Sequence, residues 1–206
     1  MSNWLEQLFG DTQTRLLRLL RRSRQSITEL ATALKLTDNA VRTHVAVLRR
    51  DGIVEDVGTQ RDTGGKPARL YGLTRAGEEL FPKAYAPVLG MVIDEVIRRD
   101  GRERAVALLR AVGTRIARDA KQGSDLKQRV QTVAGLFKEL GTDVDLERVS
   151  GGWRLQGYGC PLSAVTSDHD EVCELGRAVV EEITGATVTE CCEHGEHPRC
   201  GFTIDD

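Results

Sequence analysis

The chain has 206 residues, 40% of them hydrophobic, which suffices for one or two domains with a real core and excludes dependence on disulfides for folding. No stretch approaches the roughly 20 apolar residues of a membrane span, and residues 1–6 lack the basic and apolar regions of a signal peptide, so a cytoplasmic protein is expected. The net charge of −2 conceals an asymmetry: residues 1–75 carry 13 basic and 8 acidic side chains, residues 76–140 carry 12 and 9, and residues 141–206 carry 4 and 14. One end suits a polyanion and the other repels it.

In chain order, the first helical period runs from Thr14 to Arg22, with Leu16, Leu17 and Leu20 inward and four arginines outward. Ser26 and Glu29 have capping-box spacing and open a second helix with Ile27, Leu30, Ala31 and Leu34 inward. Thr37 caps a third, to about Arg50, whose inner stripe is Val41, Val45 and Leu48. Asp51 and Gly52 end it, and residues 53–57 and 69–73 read as strands around a loop rich in Gly, Arg and Lys. Three helices and a hairpin predict a winged helix-turn-helix over residues 1–75.

Residues 76–140 are helical in pattern, through Val88, Val92 and Val96, then Ala105, Leu108, Val112 and Ile116, then Leu126, Val130, Val133 and Leu140, with Pro82 and Pro87 splitting the first run from what precedes it. This middle segment is expected to link the ends and to dimerise through the face bearing Val88, Val92 and Val96. Residues 141–206 read as a small α+β domain: two strands flanking Gly151 and Gly152, a helix from about Asp168 to Thr184, and strands around Val188 and Phe202. The fold class is therefore α+β.

A helix laid in the major groove reads base edges, and here that is the third helix. Asn39, Arg42, Thr43 and His44 occupy its first two turns, where Arg and Asn suit guanine and adenine, and Arg49 further along suits the backbone. Arg61, Lys66 and Arg69 on the wing loop are placed to grip phosphates. The partner implied is double-stranded operator DNA, (pseudo)palindromic for a homodimer. The segments Leu36–Val45 and Gly64–Thr74 resemble the ArsR/DeoR-type winged-helix regulators, a likeness covering residues 11–75 that implies this fold and role.

All five cysteines, Cys160, Cys173, Cys191, Cys192 and Cys200, lie in the last 47 residues, and clustered cysteines in a reducing compartment point to metal or redox chemistry. Their spacing is not that of a zinc ribbon. If Glu193 pairs with Arg199 in an antiparallel hairpin, Cys192 falls opposite Cys200 on one face and Cys191 points away. With Cys160 and Cys173 converging there, four thiolates would suit a [4Fe-4S] or [2Fe-2S] cluster, or zinc.

Cys160-Pro-Leu, a Cys after twelve residues, and Cys200-Gly-Phe-Thr-Ile resemble the SufR family, repressors of iron–sulfur cluster assembly genes. The resemblance implies a homodimer holding its operator in the cluster-loaded form, with Cys160, Cys173 and Cys200 as ligands and [4Fe-4S] as the favoured cluster. Cys192 as fourth ligand rests on the hairpin argument alone, and Cys191, His194 and His197 stay open as alternatives. The competing expectation is a winged-helix regulator answering to zinc or a small molecule, with structural cysteines. No Ser/His/Asp order, phosphate loop or carboxylate pair accompanies the cysteines, so an enzyme is not expected. His169 is expected to cap a helix or face solvent.

Overall fold

The computed structural model describes residues 4–60, 67–118, 120, 123–195 and 197–206. They form two compact units, residues 1–83 and 84–206. Among the described residues no helix is long and apolar enough to cross a membrane.

The first unit contains α1 (Trp4–Arg22), β1 (Gln25–Ser26), α2 (Ile27–Leu34), α3 (Asp38–Arg50), β2 (Val54–Gln60), β3 (Ala68–Leu73) and α4 (Arg75–Glu79). Helical structure begins earlier than the Leu16–Leu20 period suggests, because α1 is two helical pieces joined at Gly10, whose φ of 75° favours glycine. Ser26 and Glu29 form the expected capping box: Glu29 N–H donates to Ser26 Oγ at 3.3 Å and Ser26 N–H to Glu29 Oε2 at 2.7 Å. Thr37 Oγ1 likewise accepts from Ala40 N–H at 3.3 Å and starts α3. Strand β3 pairs antiparallel with both β1 and β2, and a register shift between Asp56 and Gly58 bends the β2–β3 hairpin. Leu16, Leu17, Leu30, Val41 and Leu48 are fully buried where the three helices meet. Thr74 closes the unit by capping α4 and donating its hydroxyl to the Gly52 carbonyl at 2.6 Å. A side chain at Gly77 would place its Cβ 2.2 Å from the Ile53 carbonyl oxygen, so only glycine lets α4 seat there.

The second unit contains α5 (Tyr85–Asp100), α6 (Arg102–Arg118), α7 (Leu126–Glu139), β4 (Asp143–Val149), β5 (Gly152–Tyr158), α8 (Ser163–Thr166), a 3-10 turn (Asp170–Val172), α9 (Cys173–Thr184), β6 (Val188–Glu190) and β7 (Gly201–Asp205). Pro87 sits in the first turn of α5, where a helix has no use for an N–H, while the break falls before Tyr85. The sheet is antiparallel, in the order β4-β5-β7-β6. Its buried face, with Leu155, Phe202 and Ile204, packs against Val130, Val133 and Phe137 of α7 and Val179 and Ile183 of α9. The Phe137 and Phe202 rings meet edge to face at 5.9 Å. Helix α6 lies so close to α9 that a Cβ on Gly113 would stand 2.3 Å from the Leu175 carbonyl oxygen.

The boundary between the two compact units falls at residues 83/84. Helices α6 and α7 bury their apolar faces on α9 and the sheet, so the middle segment and the cysteine-bearing strands share one unit. The buried stripe of α6 is also turned by one residue from the sequence reading: Ala105, Leu109, Gly113 and Ala117 are inside, while Leu108 and Val112 are exposed. Helix α5 has two apolar faces. Ile93, Leu89 and Ile97 pack inward, whereas Val88, Met91 and Val92 remain 54%, 69% and 50% exposed.

Candidate functional site

The first candidate surface is the outer side of α3. Burying Val41, Val45 and Leu48 turns the opposite side of the helix to solvent, so Asn39, Arg42, Thr43 and Arg49 are all exposed. The Thr43 hydroxyl donates to the Asn39 carbonyl at 3.1 Å, and the Arg49 guanidinium lies 5.9 Å from the centre of the Tyr71 ring. His44 sits at the edge of the core instead: it is half-buried, with Nδ1 3.5 Å from Gln13 Nε2 of α1. On the wing, Arg69 is exposed and 3.4 Å from Asp56, and it lines one groove with Arg42, Ser26 and Thr28. Arg61 and Lys66 lie outside the described residues. Arg50, which the sequence reading passed over, shares the exposed side of α3 and pairs with Asp51 at 3.0 Å.

The second candidate site is in the other unit. Cys160 follows β5 by two residues, Cys173 begins α9, and Cys192 and Cys200 face each other across the β6–β7 connection. The Glu193–Arg199 bridge is present, with both backbone N–H donors at 2.9 Å from the opposing carbonyls. It continues the β6–β7 register, which sets Cys192 against Cys200. Cys191 is exposed, 3.9 Å from Thr203 Oγ1. Cys160, Cys173, Cys192 and Cys200 line one apolar cavity of about 150 Å³, walled by Pro161, Leu162, Val172, Leu175, Phe137 and Phe202.

The four thiols shift one another's ionisation. Cys192 is drawn down to about 3, first by Cys173 and then by Cys200 beside it, and Cys160 is drawn down to about 6, first by Cys200. The neighbouring Cys192 pushes Cys173 up, Cys160 and Cys192 push Cys200 up, and burial adds to both. Gly201 N–H donates to Cys192 Sγ at 3.3 Å, further favouring the thiolate. Four sulfurs around one apolar cavity form a donor set for a soft or borderline metal centre.

The remaining titratable groups sort themselves by distance. His194 and His197 are exposed, and His194 Nε2 lies 3.8 Å from Glu190 Oε1. Glu190 was not singled out from sequence, yet its carboxylate, Cys173 Sγ and Cys192 Sγ all lie within 4.8 Å of one another. Its signal was available: Val188, Glu190 and Cys192 alternate onto one face of a strand. Burial, and then the charge on Cys192, hold Glu190 above the ordinary carboxylate range. His169 corrects its expectation, being buried rather than solvent-facing, with Nδ1 3.2 Å from Glu171 Oε1. Glu171, 3% exposed, also pairs with Arg102 at 3.2 Å, and this second partner makes its burial tolerable.

Three helices with a capped third helix, followed by a hairpin, define the class as a winged helix-turn-helix, and residues 10–56 match the family "Bacterial regulatory protein, arsR family". The first unit thus carries an arsR-family helix-turn-helix domain, which supports a DNA-binding role in transcriptional regulation. No curated protein matches the chain. Among solved structures, it is similar to a cysteine-to-serine mutant of Lactococcus lactis ZitR, with 18% identity over 42% of this chain and 72% of that one, at a TM-score of 0.27. Bacillus subtilis PadR in complex with operator DNA shares 15% identity over 82% and 89% at 0.30. The phenol-responsive sensory domain of the transcription activator PoxR, solved with phenol, shares 13% over 79% and 89% at 0.40. Likenesses this distant carry nothing about what this chain binds.

Proposed function

We propose that the protein is a cytoplasmic, homodimeric repressor that senses an iron–sulfur cluster, [4Fe-4S] first and [2Fe-2S] second, and controls cluster-assembly genes from a palindromic operator. The observation that carries the reading is the convergence of Cys160, Cys173, Cys192 and Cys200 on one apolar cavity, with Cys191 outside it. Those four sulfurs would hold the cluster; bound there, it supplies a redox-sensitive and oxygen-sensitive centre. The apolar walls exclude water from the sulfurs, and Gly201 N–H favours the Cys192 thiolate.

The target genes come from the resemblance of the Cys160-Pro-Leu and Cys200-Gly-Phe segments to SufR regulators. Dimerisation is supported by the outer face of α5, where Val88, Met91 and Val92 leave an apolar strip facing water. Regulation is then linkage: a group bound by the second unit shifts DNA affinity only if the loaded and empty proteins differ in it. The test is operator binding by fluorescence anisotropy, with loaded and chelator-stripped protein at one salt concentration. Loaded protein is expected to bind at least about tenfold tighter, the mid-range of allosteric couplings. Equal affinities would reject cluster sensing and leave the DNA-binding role intact.

A further inference from the structure

We propose that Glu190, Cys173 and Cys192 form a site for a single divalent cation of the Zn2+ type, a ligand set that shares two of the four thiols, adds a carboxylate and is filled in place of the cluster. The starting observation is an acid where the strand calls for an apolar side chain. Val188, two residues before it, is buried in the core, and Phe202, opposite it in the ladder, is buried as well. Glu190 nevertheless turns to the same face, toward two sulfurs. A carboxylate beside a thiolate in a half-buried place is repelled by it, and a cation between them reverses the sign of that interaction.

The geometry suits one ion. Four-coordinate zinc with ligands about 2.3 Å away separates neighbouring donors by about 3.8 Å. The three donors here lie within 4.8 Å of one another, so closure on a cation requires shifts of about 1 Å. Two sulfurs and one oxygen suit a borderline cation better than Mg2+ or Ca2+, which take oxygen alone. The cation takes the place of the thiol protons of Cys173 and Cys192, which leave to solvent. The fourth position falls to water or to Cys200, which lines the same cavity. His194 Nε2 lies 3.8 Å from Glu190 Oε1.

This inference does not rest on the cluster reading, because Cys160 serves only the cluster and Glu190 only the cation. Full-length protein, chelator-stripped and reduced, is titrated anaerobically with Co2+ and then with Zn2+. The expected result is one equivalent of Co2+ with tetrahedral ligand-field absorption and a sulfur-to-cobalt charge-transfer band, both abolished by Zn2+. Glu190→Gln weakens Co2+ binding at least about tenfold, the scale of losing a group that holds a metal site together. Cys160→Ser leaves it unchanged. Glu190→Cys keeps the site and adds the intensity of one more thiolate, a readout that general damage to the fold cannot produce. Wild-type affinity in Glu190→Gln, loss of binding in Cys160→Ser, or no Co2+ bound by the native sequence would each overturn the proposal. Iron and sulfide reconstitution of Glu190→Gln gives a cluster if the four-thiol reading holds, so the two readings fail separately.

Discussion

Gly201 points its backbone N–H at the Cys192 sulfur, 3.3 Å away, although the β6–β7 register sets Gly201 opposite Cys191. Cys191 N–H still reaches the Gly201 carbonyl at 2.8 Å, so only half of that ladder pair is made. The diverted donor stabilises a thiolate and holds Cys192 toward the cavity. Two neighbouring cysteines are thereby assigned opposite fates. Cys191→Ser is expected to leave metal or cluster content at the wild-type level, and Cys192→Ser to abolish it, by iron, sulfide and zinc analysis. A Cβ at Gly201 would meet the Cys191 carbonyl oxygen at 2.6 Å, so Gly201→Ala should destabilise the protein by about 1–3 kcal/mol in thermal unfolding and lower occupancy.

The α2 capping box yields a stability prediction with a defined pH dependence. Ser26→Ala removes the acceptor for Glu29 N–H and is expected to cost about 1 kcal/mol. Glu29 is held below its usual 4.5, first by the Ser26 backbone N–H and then by the Ser26 hydroxyl. A lowered folded value means a contribution complete above the unfolded value and lost as pH falls through the folded one. The stability difference between wild type and Glu29→Gln should therefore be constant at pH above 4.5 and shrink below it, as followed by circular dichroism.

On DNA, Arg42→Ala is expected to weaken operator binding by about 1–3 kcal/mol and to relax base preference at one position. Arg69→Ala, Arg61→Ala and Lys66→Ala should weaken binding to all sequences alike, each lowering the salt slope by about 1. Arg69 must leave Asp56 to reach a phosphate, which offsets part of its contribution. Anisotropy against operator and scrambled duplexes over a salt series separates these outcomes. An Arg42→Ala protein with unchanged base preference would remove α3 as the reader.

The dimer face is equally open to test. Val88, Met91 and Val92 are at least half exposed, so Val92→Glu should not disturb the fold, while a charge buried at an interface is strongly destabilising. Light scattering is expected to give a dimer for the native sequence and a monomer for Val92→Glu, with unchanged circular dichroism. A monomeric native protein would contradict the homodimer.

The winged helix was legible from local signals: Ser26 with Glu29, Thr37 before Val41, and a Gly-rich loop between β-branched runs. Boundaries depending on long-range packing were not. Ala105, Leu109, Gly113 and Ala117 form the buried side of α6 only because Gly113 allows α9 to approach, and periodicity favoured the larger Leu108 and Val112. The Cys192–Cys200 juxtaposition followed from strand register, which has period two and is readable in a short hairpin. The approach of Cys160 and Cys173, both well upstream of that hairpin, needed the whole sheet and α9. Glu190 escaped notice because an acid in a strand ordinarily faces water, and only the fold shows which side is wet.

The measurement that bears most directly on cluster sensing is the visible absorption spectrum of anaerobically purified protein, with iron and sulfide assays. It is repeated for Cys160→Ser, Cys173→Ser and Cys200→Ser. A brown protein with a band near ~400 nm, iron and sulfide in equal amounts, and loss of all three signals in each variant is the predicted result. A colourless protein that takes up no iron and sulfide on anaerobic reconstitution would contradict it, leaving a winged-helix regulator whose four facing thiols serve another ligand.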